Sequence, residues 1–456
     1  MANTRLTKTF GQDAGNRKKF TVSAWFKRSR PGTTEALISA FRTSDTYQTD
    51  LIRFTERLEF WTHSALGNGN ANIQTNRLFR DVNAWYHVVV AYDTTQSTAS
   101  NRVKFYVNGS QVTSFSTADY PAQNDETIWG IGSGVIHTIG AVGTSHYFDG
   151  SASHIHYCDG YTYDATAFGS TDANGVWTIN TSPSVTYGTN GFFILKDGNS
   201  VTDQSGNSNN FTVGGGTLTN TEDNPSNVFA TMATPTWYDG TIANGGLTIT
   251  TNQTSYRYQP SSIGVSSGKW YWEVKLTTRD NYALMGITDA PSPINVGTDW
   301  ILGSGAYDYS VVYNTGGGDG HKYNNAGTSP TNTPGAFMGG FAQGDIIMFA
   351  LDCDNNTLKI GTNDLWSNGS GSTNQTFANT TAISITAPAS TNTGFYFPAV
   401  GDYGGAISVF DLNFGNGYFG TTAVASAGTN ASGNGIFEYD VPTGYTALCT
   451  KGLNGE

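Results

Sequence analysis

Hydrophobic and polar positions alternate along short runs of this chain, with a period of two. In Phe20-Thr-Val-Ser-Ala-Trp-Phe-Lys-Arg-Ser29, Phe20, Val22, Ala24 and Phe26 fall on one face, as in a strand with one side in a core. Trp85-Tyr-His-Val-Val-Val-Ala-Tyr-Asp93 is apolar almost throughout and reads as a strand covered on both faces. Val103, Phe105 and Val107 alternate with Lys104 and Tyr106 just before Asn108-Gly109. That dipeptide predicts a hairpin, because a type I′ turn needs two residues at positive φ. A further strand pair is expected around His137-Thr-Ile-Gly-Ala and Tyr147-Phe-Asp-Gly. In the second half Trp270, Trp272, Val274 and Leu276 should point inward, with Glu273 and Lys275 outward. Ile346-Ile-Met-Phe-Ala-Leu-Asp352 and Leu358-Lys-Ile360 flank a Cys-Asp-Asn-Asn turn and predict a second hairpin. No stretch sustains helical periodicity. The expected fold class is all-β.

At 456 residues the chain is too long for one core, so two β-sandwiches in tandem are expected. The patterns divide it into a first sandwich over 1–165, a connector over 166–236, a second sandwich over 237–415 and a short β-rich tail over 416–456. The connector should pack on the sandwiches, because Trp177, Phe192, Phe193 and Phe211 need burial. In the tail, Pro442 and Gly444 predict a turn between short strands.

Three sets of motifs resemble known families. FTVSAWFKRS, WYHVVVAYD, NRVKFYVNGSQV and HTIGAVG followed by YFDGSASHIHYCDG resemble, in that order, the laminin-G-like, concanavalin-A-like domain over residues 1–165. SGKWYWEVKL, MGITDA, GDIIMFALDCDNNTLKI and FYFPAVGDYGGAISVFDLNFG occur in the order of SPRY domains over 237–415. AFGSTDANGVW, YGTNGFFI, DQSGNSNNFTV and DNPSNVFATM, together with the tail, resemble segments of marine tailed-phage structural proteins. The first two resemblances imply jelly-roll sandwiches that bind sugars, proteins or surfaces. The SPRY resemblance implies binding through loops.

Composition agrees with strands and turns. Gly numbers 56, aromatic residues make up 13% and charged residues 13%, and that aromatic content argues against disorder. Net charge is −12, which disfavours nucleic acid and anionic membranes. Residues 1–30 carry eight basic side chains against Asp13, a surplus of seven, so the remainder carries −19. Arg17, Lys18 and Lys19 are therefore expected to dock on an acidic particle surface, the alternative being a solvated edge strand. Cys158, Cys353 and Cys449 lack the spacing of a disulfide framework or zinc ribbon. No signal peptide or transmembrane-length run is evident, so synthesis in a host cytoplasm is expected.

Catalytic signatures fail one by one. Glu56 and Glu59, three apart, should lie on opposite faces of a strand rather than form a glycosidase pair. Gly264-Val-Ser-Ser-Gly268 precedes a Trp-rich strand, where a nucleophile elbow needs a helix. Asp352, Asp354 and Asn356 mimic the start of a calcium loop, but Thr357 and Asn363 stand where Gly and Glu are required. His154 and His156 share one face of a strand and are read as structural rather than metal-holding. No cofactor is expected. Loop aromatics that could stack on sugar rings are Trp300, Tyr307, Tyr309, Tyr313 and His321. The expected function is that of a non-enzymatic virion-surface protein, a decoration or fibre present in many copies or as a homo-oligomer. Its expected partners are host surface polysaccharide and other virion proteins of capsid or tail. A scaffold touching only virion proteins is the alternative, and a polysaccharide depolymerase is a further one.

Overall fold

The computed structural model describes residues 3–11, 13, 15–42, 45–63, 70–132, 134–196, 198–232, 240–251, 258–280, 282–290, 301–313, 320–323, 336–402 and 406–455. The chain divides into two units, Met1–Asn220 with Asn224–Ser226, and Thr221–Asp223 with Asn227–Glu456. Both are β-sandwiches. Among the described residues the one α-helix is Thr450–Gly455, and no helix is long and apolar enough to cross a membrane.

In the first unit an eight-stranded sheet runs in the order Phe115–Asp119, Asn70–Leu78, Arg57–His63, Asp45–Phe54, Glu35–Arg42, Val135–Ile139, Arg5–Lys8, Thr212–Gly215. A six-stranded sheet runs Phe192–Ile194, Gly150–Asp159, Lys19–Arg28, Trp85–Asp93, Val103–Val107, Ser110–Gln111. The core lies between them. Phe20, Val22, Ala24 and Phe26 from one sheet meet Ile38, Ile52, Phe60 and Ile73 from the other, as the alternation predicts. Asn108 and Gly109 take φ of 48° and 80° and join Val107 to Ser110.

Residues 166–220, read from sequence as connector, are part of this sandwich. Phe192–Ile194 pairs with Gly150–Asp159, Thr212–Gly215 pairs with Arg5–Lys8, and Phe192, Ile194 and Phe211 enter the core. The segment also covers the outer face of the six-stranded sheet, where Phe168, Trp177 and Tyr187, with Tyr163 just before the segment, pack on Val89 and Cys158. That cover is why Trp85–Asp93 is buried along both faces. Trp177 Nε1 donates to His87 Nδ1 at 3.0 Å, and His156 Nδ1 bonds the Tyr187 hydroxyl at 2.9 Å. Trp177 lies over the hairpin at Gly109, where an added methyl would run into its ring. Gly109→Ala should therefore destabilise this unit by about 1–3 kcal/mol, from positive-φ strain plus overpacking. Urea unfolding checks this, and a change within error of zero would count against the Trp177 placement.

The second unit has a ten-stranded sheet. Its main order is Thr241–Ala243, Thr248–Thr250, Val409–Asn413, Lys269–Thr278, Ile346–Asp352, Thr357–Thr362, Leu365–Ser367, Thr373–Gln375. Facing it is a sheet ordered Tyr258–Pro260, Phe397–Gly401, Leu284–Thr288, Tyr309–Tyr313, Gly320–Tyr323, Ala336–Met338. Trp270, Trp272, Val274 and Leu276 point into the core. The hairpin after Asp352 forms as expected, with Asn356 at φ 55°. Its carboxylates are occupied: Asp352 accepts the N–H groups of Asp354 and Asn355, and Asp354 accepts that of Gly268.

Glu273 points away from the core as expected, but the outer face is covered and the residue is fully buried. The tail strand Thr446–Ala447 pairs in parallel with Lys269–Thr278. Phe437, Val441 and Tyr445 then pack with Tyr271 and Trp366 over the outer face. Alternation assigns a face, not what covers it. Glu273 is satisfied there by the N–H groups of Glu438 (3.0 Å) and Tyr439 (2.9 Å), by Asn413 Nδ2 (3.2 Å) and by the Tyr271 hydroxyl (3.0 Å). Burial nevertheless pushes its pKa up to about 7.

Candidate binding site

The aromatic positions singled out in the second unit separate on folding. Trp300 lies outside the described residues, as do the side chains of Tyr313 and His321. Their backbones sit in neighbouring strands, with His321 opposite Val312 and Tyr313 opposite Gly320. Tyr309 is a correction. Its segment is a strand rather than a loop, and the alternation Tyr309, Val311 turns both into the core. Its hydroxyl bonds Thr386 Oγ1 at 3.1 Å and accepts the Thr386 N–H at 2.9 Å, so the ring has no face to offer a ligand. Tyr307 is half-buried and packs on the edge of the core.

Tyr307 stands on a rim that the sheet assembles. Ile287 is opposite Tyr309, and Thr288 is opposite Phe397. The chain leaving Leu284–Thr288 and the chains entering the two neighbouring strands therefore meet at one end of the sheet. There Asn392 N donates to Asp289 Oδ2 at 2.9 Å, and Thr393 Oγ1 donates to the Asp289 carbonyl at 2.5 Å. Thr288 Oγ1 donates to Asp308 Oδ1 at 2.7 Å, and the Gly305 N–H to Asp308 Oδ2 at 3.2 Å. Burial raises the Asp308 pKa while these donors pull it down. Phe395, 44% exposed, projects from the same turn. Asp289 and Asp308 are buried and spend their oxygens on these bonds, so they hold the rim in shape, while the exposed Phe395 ring and Asn392 side chain can stack on an apolar face and bond a polar edge of one ligand. Phe395 was missed in sequence because Phe395-Tyr-Phe397 reads as the start of a buried strand.

In the first unit the three cations expected to dock face carboxylates of their own unit. Arg17 Nη1 lies 2.6 Å from Glu126 and Lys18 Nζ 3.8 Å from it, while Lys19 Nζ lies 3.3 Å from Asp93. Arg17 Nε also donates to the Thr127 carbonyl at 2.8 Å. Lys27 and Arg28 are buried. Arg17, Lys18 and Lys19 keep 26%, 38% and 32% of their side-chain exposure, and the first two share one carboxylate.

Several groups that could suggest chemistry are committed elsewhere. Ser23 Oγ lies 2.8 Å from His87 Nε2, a serine–histidine spacing. Trp177 Nε1 can only donate, so His87 Nδ1 must accept and Nε2 carries the proton. Burial lowers the His87 pKa to about 3, and a ring protonated at Nε2 takes no proton from Ser23. Glu56 pairs with Arg80, and Glu59 with Arg53. A register shift interrupts the strand between Ser153 and His156, with His154 at φ 47°. Both rings pack on Phe193. Among the described residues no three His, Cys, Asp or Glu side chains form a set able to hold a metal.

Residues 6–157 match the laminin G-type family described as the concanavalin A-like lectin/glucanases superfamily, and the first unit has that type of fold. A search of curated proteins gives no match. Among solved structures, the SPRY domain of human HERC1 is 19% identical, covering 38% of this chain and 91% of that one at a TM-score of 0.27. The TRIM65 PSpry domain is 11% identical, covering 40% and 88% at 0.29. The native heptameric SAP-like pentraxin from Limulus polyphemus is 17% identical, covering 34% and 70% at 0.24.

Proposed function

We propose that this chain is a non-catalytic binding protein, displayed in many copies on the surface of a tailed phage, that holds host surface glycans at the rim of its second unit. The observation that carries the binding reading is Phe395, an exposed ring beside the hydrogen-bonded Asp289–Asn392–Thr393 turn and on the same rim as Tyr307. The phage setting rests on the resemblance of 166–235 and the tail to phage structural proteins. Recognition is by stacking and hydrogen bonding without turnover, and display in many copies makes weak single sites sufficient. The protein is made in the host cytoplasm and assembled with other virion subunits.

A glycan array probed with the full chain tests the reading. Phe395→Ala should weaken the bound signal about tenfold, the loss of one stacked ring, without altering the melting temperature. Equal binding by Phe395→Ala removes the rim as the site. Binding of virion proteins alone, with no glycan retained, would favour a scaffold. Release of reducing sugar would make the protein a depolymerase.

A further inference from the structure

The layer over the outer face of the six-stranded sheet is attached unlike the rest of the first unit. It runs from Gly160 to Gly188, which take φ of 84° and 68°. Its two ends meet at Asp159. Gly160 follows that residue, a methyl added to Gly188 would strike its carbonyl, and its N–H donates to the Tyr187 carbonyl at 2.8 Å. Between these ends Gly169–Thr171 and Trp177–Ile179 form a two-stranded sheet of their own. Among the described residues no backbone–backbone bond joins 164–186 to either main sheet. Side chains hold the layer down, as Ala165, Phe168, Trp177 and Tyr187 pack on Val89 and Cys158. A loop closed at its base and fastened by side chains can lift without breaking a strand pairing.

Two buried imidazoles are part of the fastening. His87 stacks on Trp25 and Trp177, with ring centroids 4.8 and 5.9 Å apart, and accepts the indole N–H of Trp177 at Nδ1. His156 bonds the Tyr187 hydroxyl and packs on Phe168 and Phe193. Among the described residues neither ring has a carboxylate partner. The other ionisable groups of this face are Lys19, Lys27, Asp93, Lys104 and Tyr106 on its strands, and His154, Cys158 and Lys196 beside His156. On the layer and the chain after it are Tyr163, Asp164, Asp172, Tyr187 and Asp203. Asp93 pairs with Lys19, while Asp164, Asp172 and Asp203 accept N–H groups of their own turns.

Protonation acts on the fastening directly. A proton at His87 Nδ1 would face the indole N–H, donor against donor, so that bond is lost. The Tyr187 hydroxyl can turn to accept from His156, but Phe168 and Phe193 wall the charge off from water. Ring faces attract a cation, yet less strongly than burial without a counter-ion disfavours it. Burial accordingly holds both rings well below the usual histidine pKa. Lifting the layer gives both rings to water, where a histidine charges near pH 6.5. We propose that residues 161–187 are an acid-released flap, which lifts from the sheet before the sandwich unfolds and bares His87, Val89 and Cys158.

Thiol labelling of the full chain with dithiodipyridine between pH 7.5 and 5 tests this. Peptide mass spectrometry separates Cys158 from Cys353 and Cys449, which lie in the second unit and serve as controls. Each rate is divided by that of the same cysteine in the urea-unfolded chain at the same pH. Two rings that each add about tenfold per pH unit below 6.5 should raise the Cys158 ratio about a thousandfold by pH 5. Hydrogen exchange in Trp85–Asp93 and Val103–Val107 reports opening of the whole sandwich. Its opening constant at pH 5 should lie about tenfold or more below that of Cys158. His87→Gln keeps an acceptor without titrating and should cut the rise to about thirtyfold. If that variant does not fold, His156→Gln takes its place. A Cys158 ratio that stays constant with pH, or a full rise in the folded Gln variant, would overturn the flap. Equal opening constants for Cys158 and the strands would also overturn it, because the cysteine would then be reached only through unfolding.

Discussion

Glu35→Ala should cost the first unit about 3–5 kcal/mol, the range for removing one partner of a buried ion pair. The pair has no solvent: Arg28 and Glu35 side chains are 0% and 1% exposed, with Arg28 Nε 2.8 Å from Glu35 Oε2. Arg28 Nη1 donates to the Phe79 carbonyl at 2.8 Å, and its guanidinium lies 4.8 Å from the Phe54 ring centre. Arginine cannot shed its proton in a protein, so losing Glu35 strands a buried cation and opens a void. Glu35→Gln keeps a hydrogen-bond acceptor and should cost less. Replacing both residues with apolar side chains of similar volume, Arg28→Met with Glu35→Leu, should recover most of the loss, since the desolvation penalty then vanishes for both partners. Denaturant unfolding of the four proteins decides the matter. A Glu35→Ala loss below 1 kcal/mol would mean that water reaches the pair.

The same pair marks what the sequence could not reveal. Arg28 counts there as one of eight N-terminal cations, whereas its partner Glu35 lies across a turn and is invisible to a charge tally. Arg17 and Lys19 behave likewise, meeting Glu126 and Asp93, which are remote in sequence. Features governed by local geometry were legible. The Asn108-Gly109 turn, the inward rows from Phe20 to Phe26 and from Trp270 to Leu276, and the all-β class follow from period and turn chemistry alone. Features decided by a third layer were not. Glu273 lies on the expected face, but the tail that covers it is some 160 residues away in sequence. Tyr309 carried a readable signal, a β-branched run in Tyr309-Ser-Val-Val-Tyr313, that the surrounding glycines obscured.

The two units should respond to acid in opposite directions. In the first, burial lowers the pKa of His87 and His137 to about 3 and that of His156 well below its usual value. Each ring is neutral when folded, so its contribution is complete above pH 6.5 and is lost as pH falls toward the folded value. Asp50, fully buried and accepting the Ile128 N–H at 2.7 Å, is pushed up to about 7. This carboxylate works the other way, contributing stability that is present at low pH and fades as pH rises toward 7. Between about pH 4.5 and 6.5 Asp50 offsets one of the three histidines, so the first unit already loses stability on acidification there. Below that window only the histidines still titrate, and the first unit should lose about 1.4 kcal/mol per pH unit for each. In the second unit the described residues include no buried histidine, and Glu273 is raised to about 7. That unit should gain up to about 3 kcal/mol between pH 7.5 and 4.5. Calorimetry at pH 7.5, 5.5, 4.5 and 3.5 should show the two transitions moving apart on acidification, with the first unit, identified by its shift in Gly109→Ala, melting first at pH 3.5. Glu273→Gln should abolish the acid gain of the second. A first-unit transition that proves the more acid-resistant would show that His87, His137 and His156 are not held neutral by burial.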